Sequence, residues 1–225
     1  MHLELARFNM IEQQIRPWDV LDVNVLHLLS VVKREDFVPA AHKALAFVDM
    51  EIPLRMPVDD AMARGQCMLA PRVEARMLQD AALQKHEKVL EIGTGSGHMA
   101  ALLAHRAQRV ISLEIDETLV SMARANLQKA GIHNAEVREF DGSKECSADG
   151  PFDVIVMSGS VAEVPQVLLS QLKVGGRLIG IIGNEPIMRA TVVTRDSEVG
   201  FSTRQPWDTL APRLLNFPEA PRFQF

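Results

Sequence analysis

Val89-Leu90-Glu91-Ile92-Gly93-Thr94-Gly95-Ser96-Gly97-His98 is the stretch that decides how this chain folds. Lys88 to Ile92 reads as a short strand, and the glycines at 93, 95 and 97 allow the positive φ angles of a tight turn before a helix over Met99 to His105. Working outward, Gln108 to Leu113 is the next strand. Asp116 to Ala130 is a helix with Leu119, Ala123, Leu127 and Ala130 on one face, acids at its start and Gly131 after its end. Ala135 to Phe140, Asp153 to Met157 and Arg177 to Ile182 read as further strands, with Pro165 to Leu172 helical between the last two. This alternation predicts an α/β fold: a doubly wound, mostly parallel, Rossmann-like sheet covered on both faces.

Beyond the alternating region the pattern changes. Ile187 to Arg195 and Val199 to Gln205, joined by an Asp196-Ser197 turn, predict an antiparallel hairpin closing the sheet. Pro206, Pro212, Pro218 and Pro221 then argue against any long regular element, leaving an arm packed on the domain or a mobile tail. Before the alternating region, Leu5, Phe8, Ile11 and Ile15 recur at helical spacing up to Pro17, Val23 to Val31 suits a second helix, and Pro71 opens a third through Leu83 with Val73, Met77 and Ala81 as its stripe. One compact domain in three parts is expected: an N-terminal helical segment over 1–83, a ligand-binding core over 84–205 and a proline-rich arm over 206–225.

Composition narrows the function classes. The 225 residues are 47% hydrophobic and 24% charged, with 29 acids against 24 Lys and Arg, a formal net charge of -5 and no tyrosine. That balance gives no pull towards phosphate backbones or anionic membranes, and no apolar run reaches the roughly 20 residues of a membrane span. Cys67 and Cys146 have no metal-ligand spacing and Leu3-Glu4-Leu5-Ala6-Arg7 is unlike a signal peptide, so a cytoplasmic protein without nucleic-acid, membrane or metal partners is expected.

The glycine turn carries the chemistry. Without side chains, its backbone can wrap a nucleotide-like cofactor, although a ligand-free turn would use the same residues. The dinucleotide pattern G-x-G-x-x-G fails because position 98 is His, which disfavours a nicotinamide enzyme. Instead Glu91 precedes G-x-G-x-G, and Glu114 ends the next strand, where a carboxylate can accept two hydrogen bonds from a ribose diol or simply face solvent. Asp141, in Phe140-Asp141-Gly142, suits the exocyclic amine of an adenine, or forms a turn. Asp153 reads as a structural cap and His133 as a surface residue.

With Pro151-Phe152-Asp153 and Leu172-Lys173-Val174-Gly175-Gly176-Arg177-Leu178, these motifs resemble, in order and spacing, those of class I S-adenosylmethionine-dependent methyltransferases. Asn9 to Ile15, Trp18-Asp19-Val20, Val32 to Pro39 and Gly65-Gln66-Cys67-Met68-Leu69-Ala70-Pro71 narrow the resemblance to the protein-L-isoaspartate O-methyltransferase family, over about Asn9 to Gly183. The resemblance implies S-adenosyl-L-methionine held by Glu91, Gly93, Thr94, Gly95, Ser96, Gly97, His98, Glu114, Asp141 and Gly142. It implies a substrate loop at Cys67, Met68, Leu69, Ala70 and Pro71, and an isoaspartyl protein or peptide as methyl acceptor.

The chain departs from the family at that loop. The family's Thr, Ser and Gln are replaced by Cys67, Leu69 and Ala70, so no catalytic residue is assigned at the serine position, and His98 replaces a tyrosine. An insertion runs from Arg55 to Arg64, and the end lacks the family's short Phe-Val-Pro-Leu finish. A methyltransferase for a different, small-molecule acceptor, or a cofactor-binding protein without catalysis, are the alternative readings. Cys67 as a nucleophile lacks a neighbouring base, and His98 suits a ring packed near the cofactor better than a base.

Overall fold

The computed structural model describes residues 3–145 and 147–219; Cys146, Pro221 and the rest of the arm over 220–225 lie outside the described residues. The N-terminal segment begins with α1 (Leu3–Met10), which widens into a π turn over Ile11–Ile15 and tightens into a 3-10 turn over Arg16–Trp18. The expected stripe is corrected here: Leu5 and Phe8 are each 58% exposed, whereas Arg7, Met10, Ile11 and Ile15 are buried. Ile11 and Ile15, four residues apart, share the buried side of the π turn, and that face is fixed by Arg7, whose guanidinium pairs with Glu35. Pro17 does not stop the helix at once, because it sits in the first residues of the 3-10 turn; the chain leaves at Asp19, in the left-handed region.

α2 spans Val23–Val31, capped by Asp22 accepting from the Asn24 amide at 2.8 Å. β1 (Ile52–Pro53), α3 (Val58–Ala63), β2 (Cys67–Met68) and α4 (Pro71–Ala81) follow, and β1 and β2 form a small antiparallel ribbon. α4 stops before Leu83 because Ala82 turns left-handed, and Arg177 donates to the Ala81 and Ala82 carbonyls there at 2.5 and 3.0 Å.

The core continues with β3 (Lys88–Ile92), α5 (His98–Arg106), β4 (Arg109–Glu114), α6 (Glu117–Lys129), β5 (Ala135–Glu139), β6 (Phe152–Val161), α7 (Gln166–Leu169), β7 (Leu172–Asn184), β8 (Ile187–Arg195) and β9 (Phe201–Thr209). The seven-stranded sheet runs β5-β4-β3-β6-β7-β8-β9, parallel from β5 to β7 and antiparallel over the last two strands. The helix expected over Pro165 to Leu172 is one turn, and β6, β7 and β9 are longer than expected. β9 runs through Pro206, which the sequence reading had placed beyond the hairpin. It can do so because β9 is an edge strand and the register shifts between Ala190 and Val192, so Gln205 and Pro206 fall in a bulge.

Alternate strand residues go to opposite faces. Val89, Val110, Val154, Ile179 and Val192 pack with the N-terminal segment, α4, α5 and α6, while Leu90, Ile111, Ile155, Leu178 and Val193 meet Leu168, Leu169 and Phe217. The helical cover on the second face is therefore thin. After β5 the chain crosses back to the other side of β3, so the order reverses there and leaves a crevice beyond the carboxyl ends of β3 and its neighbours.

Candidate functional site

A cleft of about 430 Å³ occupies this crevice, and Gly93, Gly95, Glu114, Asp141 and Gly142 line it together with Cys67 of the substrate loop. The glycine turn is tied to β4: the Gly93 and Thr94 amides donate to the Leu113 carbonyl at 2.8 and 3.3 Å, and the Thr94 and Ser112 hydroxyls are 2.5 Å apart. Gly93, Gly95 and Gly97 have φ of +89°, +54° and +85°. They do different work. Gly95 borders the cleft, with room for a methyl group only at 3.2 Å from Leu54 Cδ1, whereas Gly97 lets α5 and α6 approach, since a Cβ there would meet Ala123 at 3.3 Å. Ser96 is buried and its carbonyl accepts from Asn126 at 2.9 Å.

The three expected acids take three different environments. Glu114 accepts the Gly95 amide at 2.8 Å on one oxygen and the Ile115 and Asp116 amides at 2.9 and 3.1 Å on the other. Burial raises its pKa, and these backbone donors offset part of the rise. Three of the roughly four acceptor positions of a carboxylate are thus engaged, which fixes the turn and leaves capacity on the cleft side. Asp141 accepts the Ser143 amide and hydroxyl at 3.0 and 2.7 Å and the Asn216 side-chain amide at 3.0 Å. Burial pulls its pKa up, but Ser143, Asn216 and Lys144 outweigh it and hold the carboxyl below its ordinary range.

Glu91 lies beneath the cleft, fully buried, with Ser112 and Ser158 donating to its two oxygens at 2.6 and 2.8 Å. Burial pushes its pKa up to about 8, against the pull of those hydroxyls. Glu91 is therefore mostly protonated near pH 7, one serine oxygen then turning to accept its acid hydrogen, and it positions Ser158, which lines the cleft. Asp153 accepts the Lys88 amide at 2.8 Å and pairs with Lys173, the structural role expected of it.

The substrate loop separates the cleft from the N-terminal segment. Met68 and Leu69 are buried, Ala70 precedes α4 and Pro71 opens it. The loop is held by Arg34, which donates to the Leu69 carbonyl at 2.8 Å and pairs with Glu74 of α4. Glu74 also accepts from His98 Nδ1 at 3.0 Å, and the His98 ring stands edge-on to Phe37 at 5.3 Å. Burial raises the pKa of Glu74, but His98 and Arg34 together lower it below its ordinary value, so Glu74 is ionised and Nδ1 carries the hydrogen. A notch of about 20 Å³ between loop and glycine turn is lined by Cys67, Met68, Leu69, Thr94, Ser96 and His98, and it shares Cys67, Gly93, Gly95 and Ser158 with the large cleft. Burial, with Glu51 and Glu74, pushes the Cys67 thiol up to about 12, so it is no nucleophile at neutral pH.

Two segments left without a role by the sequence border the cleft. The insertion folds as α3, and Arg55 and Gln66 bond Asp116 at 2.6 and 2.9 Å, bringing Arg64 and Gly65 to the rim. The arm crosses the ends of β3 and β6: the Ser160 amide donates to Pro212 O at 2.7 Å and the Leu214 amide to Ser160 O at 2.9 Å. Leu214 sits where a methyl group on Gly93 would be 2.8 Å away, and Asn216 reaches Asp141. Sequence reasoning missed Glu74, Ser158 and the arm residues. Glu74 alone left a signal, since it shares the helical face of Met77, Leu78 and Ala81 and a carboxylate there must be buried.

Residues 6–210 match the family model described as Protein-L-isoaspartate(D-aspartate) O-methyltransferase (PCMT). The chain is 36% identical over 191 residues to the protein-L-isoaspartate O-methyltransferase of Koribacter versatilis, covering 85% of this chain and 82% of that one. It is 37% identical over 177 residues to the enzyme of the same name from Methanoculleus marisnigri, covering 79% and 77%. A Plasmodium falciparum protein-L-isoaspartate O-methyltransferase crystallised with S-adenosyl-L-homocysteine shares the fold, with a TM-score of 0.76 at 19% identity over 94% of this chain and 97% of that one.

Proposed function

The chain belongs to the protein-L-isoaspartate O-methyltransferase family, and on that premise we propose that it uses S-adenosyl-L-methionine to methylate the free carboxylate of L-isoaspartyl residues in damaged proteins. The observation that carries the reading is the cleft itself, where the side-chain-free turn at Gly93 and Gly95, Glu114, Asp141 and Gly142 converge beside the substrate loop. Its volume of about 430 Å³ lies in the range of small-molecule sites.

Glu114 offers its remaining acceptor position to a ribose hydroxyl and Asp141 serves the adenine amine, while Gly95 gives close backbone approach. When bound, the cofactor supplies a methyl group activated by a sulfonium. The acceptor carboxylate, with a pKa near ~4, is ionised at pH 7 and needs no general base. The chain's task is alignment and exclusion of water, which suits the buried apolar loop at Met68 and Leu69 and the un-ionised Cys67 thiol.

In this reading the segment 1–83 serves the acceptor side, 84–205 hold the cofactor, and Arg213, Leu214, Leu215 and Phe217 of the arm complete the wall. The cytoplasm is the proposed compartment, on the sequence reading given above; no helix among the described residues is long and apolar enough to cross a membrane. Labelled methyl transfer to an isoaspartyl peptide and to its aspartyl counterpart tests the function. Base-labile label on the isoaspartyl peptide alone is the expected result, and equal labelling of both peptides, or of neither, would overturn it.

A further inference from the structure

The notch between loop and glycine turn contains one polar side-chain atom whose hydrogen bonding is incomplete. His98 is 2% exposed, and its Nε2 has no hydrogen-bond partner among the described residues. The other polar groups around the notch are engaged: Thr94 with Ser112, and Ser158 with Glu91. A buried polar atom left unpaired costs about 1–3 kcal/mol, which points to a ligand that completes it. The space of about 20 Å³ suits one oxygen-sized atom. The notch also opens onto the cofactor cleft through Cys67, Gly93, Gly95 and Ser158.

We propose that His98, oriented by Glu74, is the acceptor-binding residue of this chain: its Nε2–H holds one oxygen of the isoaspartyl carboxylate in the notch while the other oxygen faces the cleft. The inference rests on the function proposed above and deepens it, giving the site a polar anchor where Leu69 provides none. Because Nδ1–H is already committed to Glu74, only the protonated ring offers a hydrogen at Nε2; the neutral ring would turn a lone pair towards an anion. The charged groups facing the ring agree with this. Arg34 and Glu74 cancel one another, the Cys67 thiol stays neutral, and protonation of His98 gives the pocket the single positive charge that a carboxylate acceptor matches. Glu91, behind the turn, is neutral below pH about 8. Acceptor binding and protonation of His98 are therefore coupled.

The experiment is calorimetric titration of an isoaspartyl peptide into the protein saturated with S-adenosyl-L-homocysteine, in pairs of buffers of different ionisation enthalpy across a pH series, beside the pH dependence of KM in the transfer assay. Wild type is expected to take up a proton with the peptide at the alkaline end of the series, where KM should rise with pH. His98→Gln, whose amide offers a donor that does not titrate, is expected to bind the peptide within about tenfold of wild type with no proton uptake and a pH-independent KM. Retained S-adenosyl-L-homocysteine binding in the variant checks that it is folded. Peptide binding and transfer by wild type without proton uptake, or the same uptake in His98→Gln, would overturn the role of His98 and leave the proposed function standing. Absence of both peptide binding and transfer in wild type would remove the proposed function and this inference with it.

Discussion

Replacing Glu91 by Gln tests whether the acid under the glycine turn is a neutral support or a charged ligand contact. Glu91 is fully buried between two serine hydroxyls and its pKa is pushed up to about 8. An unfolded glutamate titrates near ~4.3, so between roughly pH 4 and 8 the folded chain keeps a proton that the unfolded chain has released. The folded pKa is raised; the associated stability is fully present below the unfolded value and is lost as pH rises through about 8. At about 1.4 kcal/mol per unit, the loss is about 3–4 kcal/mol at pH 7 and about 5 kcal/mol by pH 9. Gln cannot ionise, and its carbonyl and amide can each serve one serine. Glu91→Gln is therefore expected to be more stable than wild type by about 3 kcal/mol at pH 7 and equal to it near pH 4. For a chain of this length that is a rise in Tm of about 6–12 °C at pH 7, read by calorimetry or circular dichroism across a pH series. Affinity for S-adenosyl-L-homocysteine should be unchanged, since Glu91 does not line the cleft. A variant less stable than wild type at pH 7, or a difference that does not vary with pH, would refute the reasoning. A tenfold loss of affinity would make the carboxylate a cofactor contact.

Gly95→Val places a β-branched side chain at φ +54° on the rim of the cleft, and calorimetry should detect no S-adenosyl-L-homocysteine binding, with undiminished affinity counting against the cradle. Glu114→Ala frees three backbone amides as well as the acceptor oxygens, so both affinity and denaturant midpoint should fall. Arg34→Met leaves the ionised Glu74 buried, at a cost of about 3–5 kcal/mol in urea unfolding. Because the folded pKa of Glu74 is depressed, wild type gains this stability above pH ~4.5 and loses it as pH falls, and the variant should lack that acid-side slope. Leu69→Ser removes a buried side chain at a cost of about 2–5 kcal/mol and is expected to raise isoaspartyl transfer if position 69 faces the acceptor; unchanged turnover would place it elsewhere.

What the sequence disclosed follows from how locally each feature is determined. Val23–Val31 and Lys88–Ile92 were legible because a cap, a period or a glycine turn bounds them within a few residues. The cleft acids Glu114 and Asp141 were legible for the same reason, as Glu114 ends β4 and Asp141 follows two residues after β5, which puts both at the carboxyl edge of a parallel sheet. The misread parts depend on tertiary partners. The outward turn of Leu5 and Phe8 depends on Arg7 finding Glu35, the two-residue strands β1 and β2 are too short to show alternation, and Pro206 is tolerated only at an edge bulge. The Arg34–Glu74–His98 cluster joins three segments far apart in the chain, and only the fold brings them within hydrogen-bonding distance.

The arm over 211–217 separates what folds the sheet from what closes the cleft. A chain cut after Thr209 would still hold every described strand and helix of the domain. It would lack Leu214 against the glycine turn, Asn216 on Asp141 and Phe217 on the second face. The cleft thus takes its last wall from the final described residues, and such a truncated chain is expected to keep its sheet while leaving the cofactor cleft open on that side.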